Sequence, residues 1–187
     1  MPYCCWKNQT VCRNLMLCSV VCGLLLLLGC QSSLPQTRQQ VRVVKVVSGQ
    51  TLEVLDMSGS NPITERVRLL GIEAPTGDQE PWSTQATDRL ESLIGTNRTV
   101  WLEADVQAVR ETSNGSKLRL AYVWRDNQLL NESLVAEGYV LGRSSSPNTK
   151  YEKRLTYAQE KARLTGRGIW NPSYPMAQSP EEFRRLK

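Results

Sequence analysis

The sequence contains no histidine, and its six cysteines all lie within the first thirty residues, the last of them at Cys30. Because the rest of the chain offers these cysteines no partner, a disulfide framework for a folded domain is excluded. A zinc site at Cys4 and Cys5 is also excluded, since no histidine and no CxxC pair completes it. The 187 residues suit one domain with short appendages, and a hydrophobic content of 40% argues against wholesale disorder.

The first thirty residues have the pattern of an export signal. Lys7 and Arg13 give a positive start, and residues 14–29 form a mostly apolar run. The run ends in LLGC at Cys30, which resembles a bacterial lipobox, in which the cysteine is lipidated and becomes the new N-terminus. The alternative is an uncleaved membrane anchor, for which the run is short, because a spanning helix needs about 20 residues. The sequence therefore predicts attachment to a membrane through lipidated Cys30, at the cell envelope and facing away from the cytoplasm.

Composition divides the chain into four predicted segments. They are a lipoprotein signal peptide at residues 1–29, a flexible polar tether at 30–40, one folded domain at 41–170, and a proline-containing tail at 171–187 with a short charged helix at 181–186. The net charge is +5, of which the predicted signal peptide carries two positive charges and no negative one, so the remainder carries about +3. A mildly basic chain permits nucleic-acid binding without requiring it.

Hydrophobic periodicity predicts five strands and three helices. The strands are expected at residues 41–47, 51–55, 65–72, 99–103 and 118–124, and the helices at residues 81–94, 130–137 and 150–165. The stretch between the last two strands, residues 104–117, is predicted as a long polar loop. Three strands, a helix, two strands and two helices in this order predict an α+β protein with a five-stranded OB-fold barrel.

Specific motifs in this framework resemble the staphylococcal nuclease (thermonuclease) family. They occur in the family's order: VVKVVSGQTLEV, VRLLGIEAP, LRLAYVW, LLNESLVAEGYV, Pro147-Asn148 and GRGIW. The resemblance extends over roughly residues 41–170, which is most of the chain after the predicted signal peptide. The resemblance implies a five-stranded OB-fold barrel with three helices. It also implies an ancestry among enzymes that hydrolyse phosphodiester bonds in DNA and RNA with bound calcium.

The resemblance further implies a set of catalytic groups. In active members, two aspartates and a main-chain carbonyl hold calcium, which prefers several oxygen ligands. A glutamate acts as general base toward the attacking water. Two arginines stabilise the negative charge that develops on the phosphoryl group, because fixed guanidinium donors suit phosphate oxygens.

Carried over residue by residue, this set is incomplete. The first metal aspartate maps to Gln50, a neutral amide, and the second maps to Glu73, which keeps a carboxylate on a longer stem. The first catalytic arginine is retained as Arg68. The general base maps to Thr76 and the second arginine to Leu118, so both are substituted. A threonine hydroxyl does not act as a general base near neutral pH.

Neighbouring residues could substitute for the missing groups. Lys117 and Arg119 flank Leu118, but side chains alternate across a strand, so both are expected to point away unless a bulge turns Arg119 round. Asp78 and Glu80 follow the position of the missing base and could approach it from their loop.

Two hypotheses of different classes follow. The first is a catalytically inactive or very weak domain that binds nucleic acid, polysaccharide or a protein partner at the envelope, as a monomer with at most weak calcium binding and no other cofactor. The second is a calcium-dependent nuclease with relocated ligands; a purely structural lipoprotein is a third option. The family's base-stacking tyrosine maps to Ser116, so that contact to a nucleobase is also missing.

Overall fold

The computed structural model describes residues 38–57, 59 and 62–186. The predicted signal peptide, Cys30 and most of the predicted tether therefore lie outside the described residues. No helix within the described part is long and apolar enough to cross a membrane. Its strands are β1 Gln39–Ser48, β2 Thr51–Asp56, β3 Ile63–Leu69, β4 Ile72–Glu73, β5 Thr99–Glu103, β6 Val109–Glu111, β7 Lys117–Arg125, β8 Gln128–Leu129 and β9 Leu141–Gly142. Its helices are α1 Trp82–Ile94, α2 Leu130–Ala136, α3 Glu152–Leu164 and α4 Pro180–Arg185, with a 3₁₀ turn at Gly168–Trp170.

Five of these strands close into a barrel. The hydrogen-bonded order is β3-β2-β1-β5-β7, and a parallel pairing of β3 with β7 completes the circle. Alternation along β2 and β3 turns Leu52, Val54, Val67 and Leu69 into the interior, where each is at most 1% exposed. The predicted α+β class and OB-fold barrel are confirmed, because the closed mixed barrel carries its helices outside the sheet.

Three details differ from the predicted elements. The third strand ends at Leu69 rather than at residue 72, because Gly71 adopts a positive φ of 72° and turns the chain into the short β4. The predicted loop at 104–117 contains β6, whose three side chains are all exposed and so leave no hydrophobic pattern. The two-residue strands β8 and β9 were not predicted either, whereas the short helix predicted in the tail is present as α4.

Helix α1 packs directly on the turn between β1 and β2. Its buried stripe includes Ala86, Leu90 and Ile94, each 0% exposed. The turn residue Gly49 has no room for a side chain, since a Cβ there would lie 2.6 Å from the Ala86 Cβ. This close approach fixes the position of the next residue, Gln50, one of the predicted metal-site positions.

Candidate functional site

The retained arginine, Arg68, lies near the end of β3 with its guanidinium held by the main chain. It donates to the carbonyl of Leu69 at 3.3 Å and to that of Ile72 at 3.1 Å. The chain reverses around Gly71, which brings both carbonyl groups back toward the strand end. The guanidinium is therefore oriented before any ligand arrives.

Three further arginines are close enough to lower the pKa of Arg68. Burial lowers the pKa of Arg68 to about 10, with Glu73 acting in the opposite direction and Arg110, Arg143 and Arg184 lowering it further. Arg68 therefore remains protonated at neutral pH. A cluster of four like charges is electrostatically unfavourable by itself, so the surrounding field favours an anion there.

Glu73 lies on β4, which pairs with β9, and is only 5% exposed. Both of its carboxylate oxygens are engaged by arginines. Oε2 lies 3.0 Å from Arg143 Nη1, and Oε1 accepts a hydrogen bond from Arg184 Nη2. Arg143 directly follows β9, and its main-chain N–H donates to the carbonyl of Gly71 at 2.9 Å, which places its side chain beside β4.

Gln50 is likewise engaged within the protein. Its Oε1 accepts the main-chain N–H of Ala74 at 2.6 Å, and its own carbonyl accepts the N–H of Leu69 at 2.9 Å. The side-chain oxygen that would face a metal ion therefore holds the β4 segment against the β1–β2 turn. With Glu73 paired to arginines, Gln50 and Glu73, the residues predicted at the family's metal positions, do not fit calcium, which requires several oxygen ligands. Among residues 38–57, 59 and 62–186, no group of three or more His, Cys, Asp or Glu could hold a metal ion.

Thr76, the predicted position of the missing general base, is connected to the tail by hydrogen bonds. The Thr76 N–H and hydroxyl both donate to Gln79 Oε1, at 3.0 and 3.3 Å. The Gln79 amide group in turn donates to the carbonyl of Gln178 at 2.9 Å. Thr76 therefore participates in a structural network that fastens residues from far along the chain.

A second arginine, Arg110, lies opposite Leu118 on the neighbouring strand β6. Arg119 bonds Glu65 at 2.5 Å and also bonds Gln39, so it points away from the face that Leu118 occupies. Strand β6 pairs with β7 in a register that sets Arg110 opposite Leu118, while Arg68 is opposite Leu120. Because Leu118 and Leu120 share one face of β7, both arginines lie on that face.

These arginines line a single pocket. It has a volume of about 380 Å³, and its polar lining comes from Arg68, Arg110, Arg143 and the serines at 144–146. No aromatic side chain is among the described residues that line it. The lining combines guanidinium and hydroxyl donors, which suit phosphate oxygens, and it has no ring on which a base could stack.

Asp78 and Glu80, the predicted substitutes for the missing base, do not line the arginine pocket. The Glu80 carboxylate accepts hydrogen bonds from the Ser83 and Thr84 hydroxyls at 2.7 and 2.8 Å, which lowers its pKa. Asp78 is exposed, and neither acid lines the arginine pocket. Ser116 is also exposed, in the turn between β6 and β7.

Sequence reasoning missed Arg110, Arg143 and Arg184. A signal for Arg110 was present, because Asn114-Gly115 is a common hairpin turn, and a hairpin there sets Arg110 across from Leu118. Arg143 and Arg184 have no comparable local signal, since both meet Glu73 through contacts between segments distant in sequence.

A protein-family model matches the part of the chain that forms the arginine pocket. The family model described as "Staphylococcal nuclease homologue" matches residues 66–172, which include the second part of β3, all of β4 and β7, and the residues that line the arginine pocket. The chain belongs to the staphylococcal nuclease family.

Individual members of the family show the same relationship. Thermonuclease of Staphylococcus hyicus is 29% identical over 138 residues, covering 71% of this chain and 76% of the relative. Thermonuclease of Staphylococcus intermedius is 31% identical over 133 residues, covering 68% and 74%. A protein of Haemophilus influenzae named as an uncharacterized endonuclease is 27% identical over 163 residues, covering 87% and 83%.

Proposed function

We propose that this protein is a nucleic-acid-binding module at the cell envelope, tethered to a membrane through lipidated Cys30. It holds a phosphodiester group in the pocket of Arg68, Arg110 and Arg143, and it has no calcium-dependent hydrolysis or only a trace of it. The observation that carries this proposal is the engagement of both Glu73 oxygens by arginines. That pairing places two arginines against a predicted nuclease metal position, and one of them, Arg143, also lines the basic pocket.

The pocket's chemistry supports binding of the sugar–phosphate backbone. Phosphate contacts give affinity without sequence information, and guanidinium groups make the strongest of them. The serine hydroxyls at 144–146 add neutral donors. Because the lining has no aromatic ring, the proposal is for binding through backbone phosphates rather than through stacked bases.

Hydrolysis lacks its chemical groups. Gln50 and Thr76 provide neither a metal carboxylate nor a general base, and both side chains are hydrogen-bonded within the protein. Loss of a general base costs about 10²-fold or more in rate, and loss of a transition-state donor costs a similar factor. Arg110 can neutralise a bound phosphate, but it does not replace the base.

Binding is tested with a fluorescent single-stranded oligonucleotide and the full chain in uncharged detergent micelles, with a chelator present. Arg68→Gln and Arg110→Gln are each expected to weaken binding about tenfold and to lower the salt slope by about 0.7 per lost phosphate contact. Arg66→Gln on the same strand is the matched control, because Arg66 is paired with Glu53 outside the pocket and its removal changes the net charge equally. Equal losses for all three variants would show that the oligonucleotide is held by the general positive charge and not by the pocket.

Cleavage of DNA with calcium and with chelator tests the second half of the proposal. The native chain is expected to show at most trace cleavage, whereas the combined reversion Gln50→Asp, Thr76→Glu and Leu118→Arg is expected to gain calcium-dependent activity. Single reversions should do little, since such groups act as a unit. Vigorous calcium-dependent cleavage by the native chain, abolished by Arg68→Ala, would instead establish the alternative of a nuclease with relocated ligands.

A further inference from the structure

Of the two predicted metal positions, Glu73 keeps a carboxylate and Gln50 does not. An arginine of the tail, Arg184, contacts that carboxylate. Arg184 lies on α4 and donates to Oε1 of Glu73, 111 residues earlier in the sequence. Glu73 is buried, while Arg184 is about half exposed, with 46% of its side-chain area accessible. A cation delivered by the chain itself therefore lies against this carboxylate.

Several contacts hold the tail in this position. The rings of Tyr174 and Trp82 lie 5.1 Å apart, and the N–H of Met176 donates to the carbonyl of Ile169 at 3.0 Å. The Gln79–Gln178 hydrogen bond described above adds a third contact. The tail is therefore fastened along its length, upstream of the helix that bears Arg184.

Helix α4 has its own start signal. The Ser179 side chain accepts the N–H of Glu182, the Glu182 carboxylate accepts the N–H of Ser179, and Pro180 occupies the first turn. This capping box fixes the phase of the short helix, and with it the direction in which Arg184 leaves the backbone.

We infer that Arg184 is a built-in replacement for the metal ion, and that its guanidinium neutralises Glu73 so that phosphate can enter the neighbouring arginine pocket. The inference rests on the proposed phosphate-binding function. In the family's active members a divalent cation would reduce the repulsion between carboxylate and phosphate. Here the ion pair with Arg184 has that role, and Arg184 is thus a positioning residue outside the pocket lining.

The geometry around Arg143 explains why a second arginine is needed. Arg143 faces Glu73 at 3.0 Å and the tail residue Glu181 at 3.6 Å, and it also lines the pocket. If Arg143 alone balanced Glu73, a phosphate that drew Arg143 away would leave a buried carboxylate without a partner, which is costly. With Arg184 in place, Arg143 can turn toward the ligand while Glu73 keeps one cation.

A double-mutant cycle between Glu73 and Arg184 tests this role. In the full chain, Arg184→Gln is expected to weaken oligonucleotide binding about fivefold to tenfold, a range that allows for solvent screening of a half-exposed charge. Arg185→Gln is the matched control, because this exposed neighbour lies on the same helix and its removal changes the net charge equally. It is expected to change binding less than about twofold, as screened surface charges do.

Repeating the Arg184 substitution in a Glu73→Gln chain distinguishes neutralisation of Glu73 from direct contact between Arg184 and the ligand. If Arg184 acts by neutralising Glu73, then removing Arg184 from a Glu73→Gln chain should change affinity less than about twofold, because no carboxylate remains to be neutralised. The same fivefold to tenfold loss in both backgrounds would overturn the inference and show that Arg184 contacts the ligand directly. Melting curves of all variants establish that each remains folded.

The same binding assay separates failure of this inference from failure of the proposed function. If the native chain fails to bind the oligonucleotide, the proposed function falls. If the native chain binds and Arg184→Gln binds equally well, the proposed function stands and the inference about Arg184 is overturned.

Discussion

Substitution of Glu103 by glutamine tests how the protein stabilises a buried charge. The Glu103 side chain is 3% exposed and accepts hydrogen bonds from Lys150 and Tyr151, while Arg38 lies 3.2 Å from its second oxygen. Burial acts to raise the pKa of Glu103, but the hydrogen bonds from Lys150 and Tyr151 and the charges of Lys150 and Arg38 outweigh it. The pKa consequently lies below its ordinary value.

The expected loss follows from the exposure of the partners. Breaking a fully buried ion pair by removing one partner costs about 3–5 kcal/mol. Lys150 and Arg38 are 31% and 35% exposed, so water can partly solvate them after the substitution. We therefore expect Glu103→Gln to lower the free energy of unfolding at pH 7 by about 2 kcal/mol, which shifts the urea midpoint by about 1 M.

The pH dependence identifies charge as the cause. Because the folded-state pKa of Glu103 is depressed, its contribution is complete above the unfolded-state value of about 4.3 and disappears as the pH falls through the folded-state value. The gap in urea midpoint between the native chain and Glu103→Gln should therefore close in acid. A gap of the same size at pH 7 and pH 3 would refute the electrostatic reasoning and indicate lost packing. Glu91→Gln removes an exposed pair with Arg98 and should cost less than about 1 kcal/mol.

Two further predictions concern other parts of the chain. Gly49→Ala should destabilise the protein by about 1–3 kcal/mol, because the new methyl group would lie 2.6 Å from the Ala86 Cβ. Adding Ala86→Gly to the same chain should recover part of that loss. Calorimetry that finds no recovery would show that the clash is not the cause. Mass spectrometry of membrane-derived protein should find an acylated N-terminal Cys30, and an intact Met1 there would contradict cleavage at the lipobox.

The barrel was predictable because its signal is local. The β-branched run of β1 is typical of a strand, and the alternation in β2 places Leu52 and Val54 inside. The stripe through Ala86, Leu90 and Ile94 indicates a helix. Strand β6 lacks such a signal, since all its side chains are exposed. The short α4 had a local signal in its charge pattern, whereas its contact with β4 had none.

The site was predictable only in part, because its remaining groups come together through tertiary contacts. The family motifs predicted Arg68, Glu73 and the substituted positions as site residues. In the structure Arg68 lines the pocket, and Glu73 pairs with Arg143, which lines it too. The partners of Glu73 could not be inferred in this way. Arg143 depends on the pairing of β4 with β9, and Arg184 depends on the path of the whole tail.

The pairing of β7 has a consequence for the order in which the protein folds. Strand β7 pairs with β3, β5, β6 and β8, and its pairing with β3 joins segments about fifty residues apart. Until Lys117–Arg125 is in place, β3 and β5 each expose an edge of unpaired backbone groups. Such long-range parallel closure is slow compared with hairpin formation. Partly folded chains therefore have two unpaired strand edges that can pair wrongly. Substitutions in β7 should reduce the yield of folded protein by more than their effect on the stability of the native state predicts.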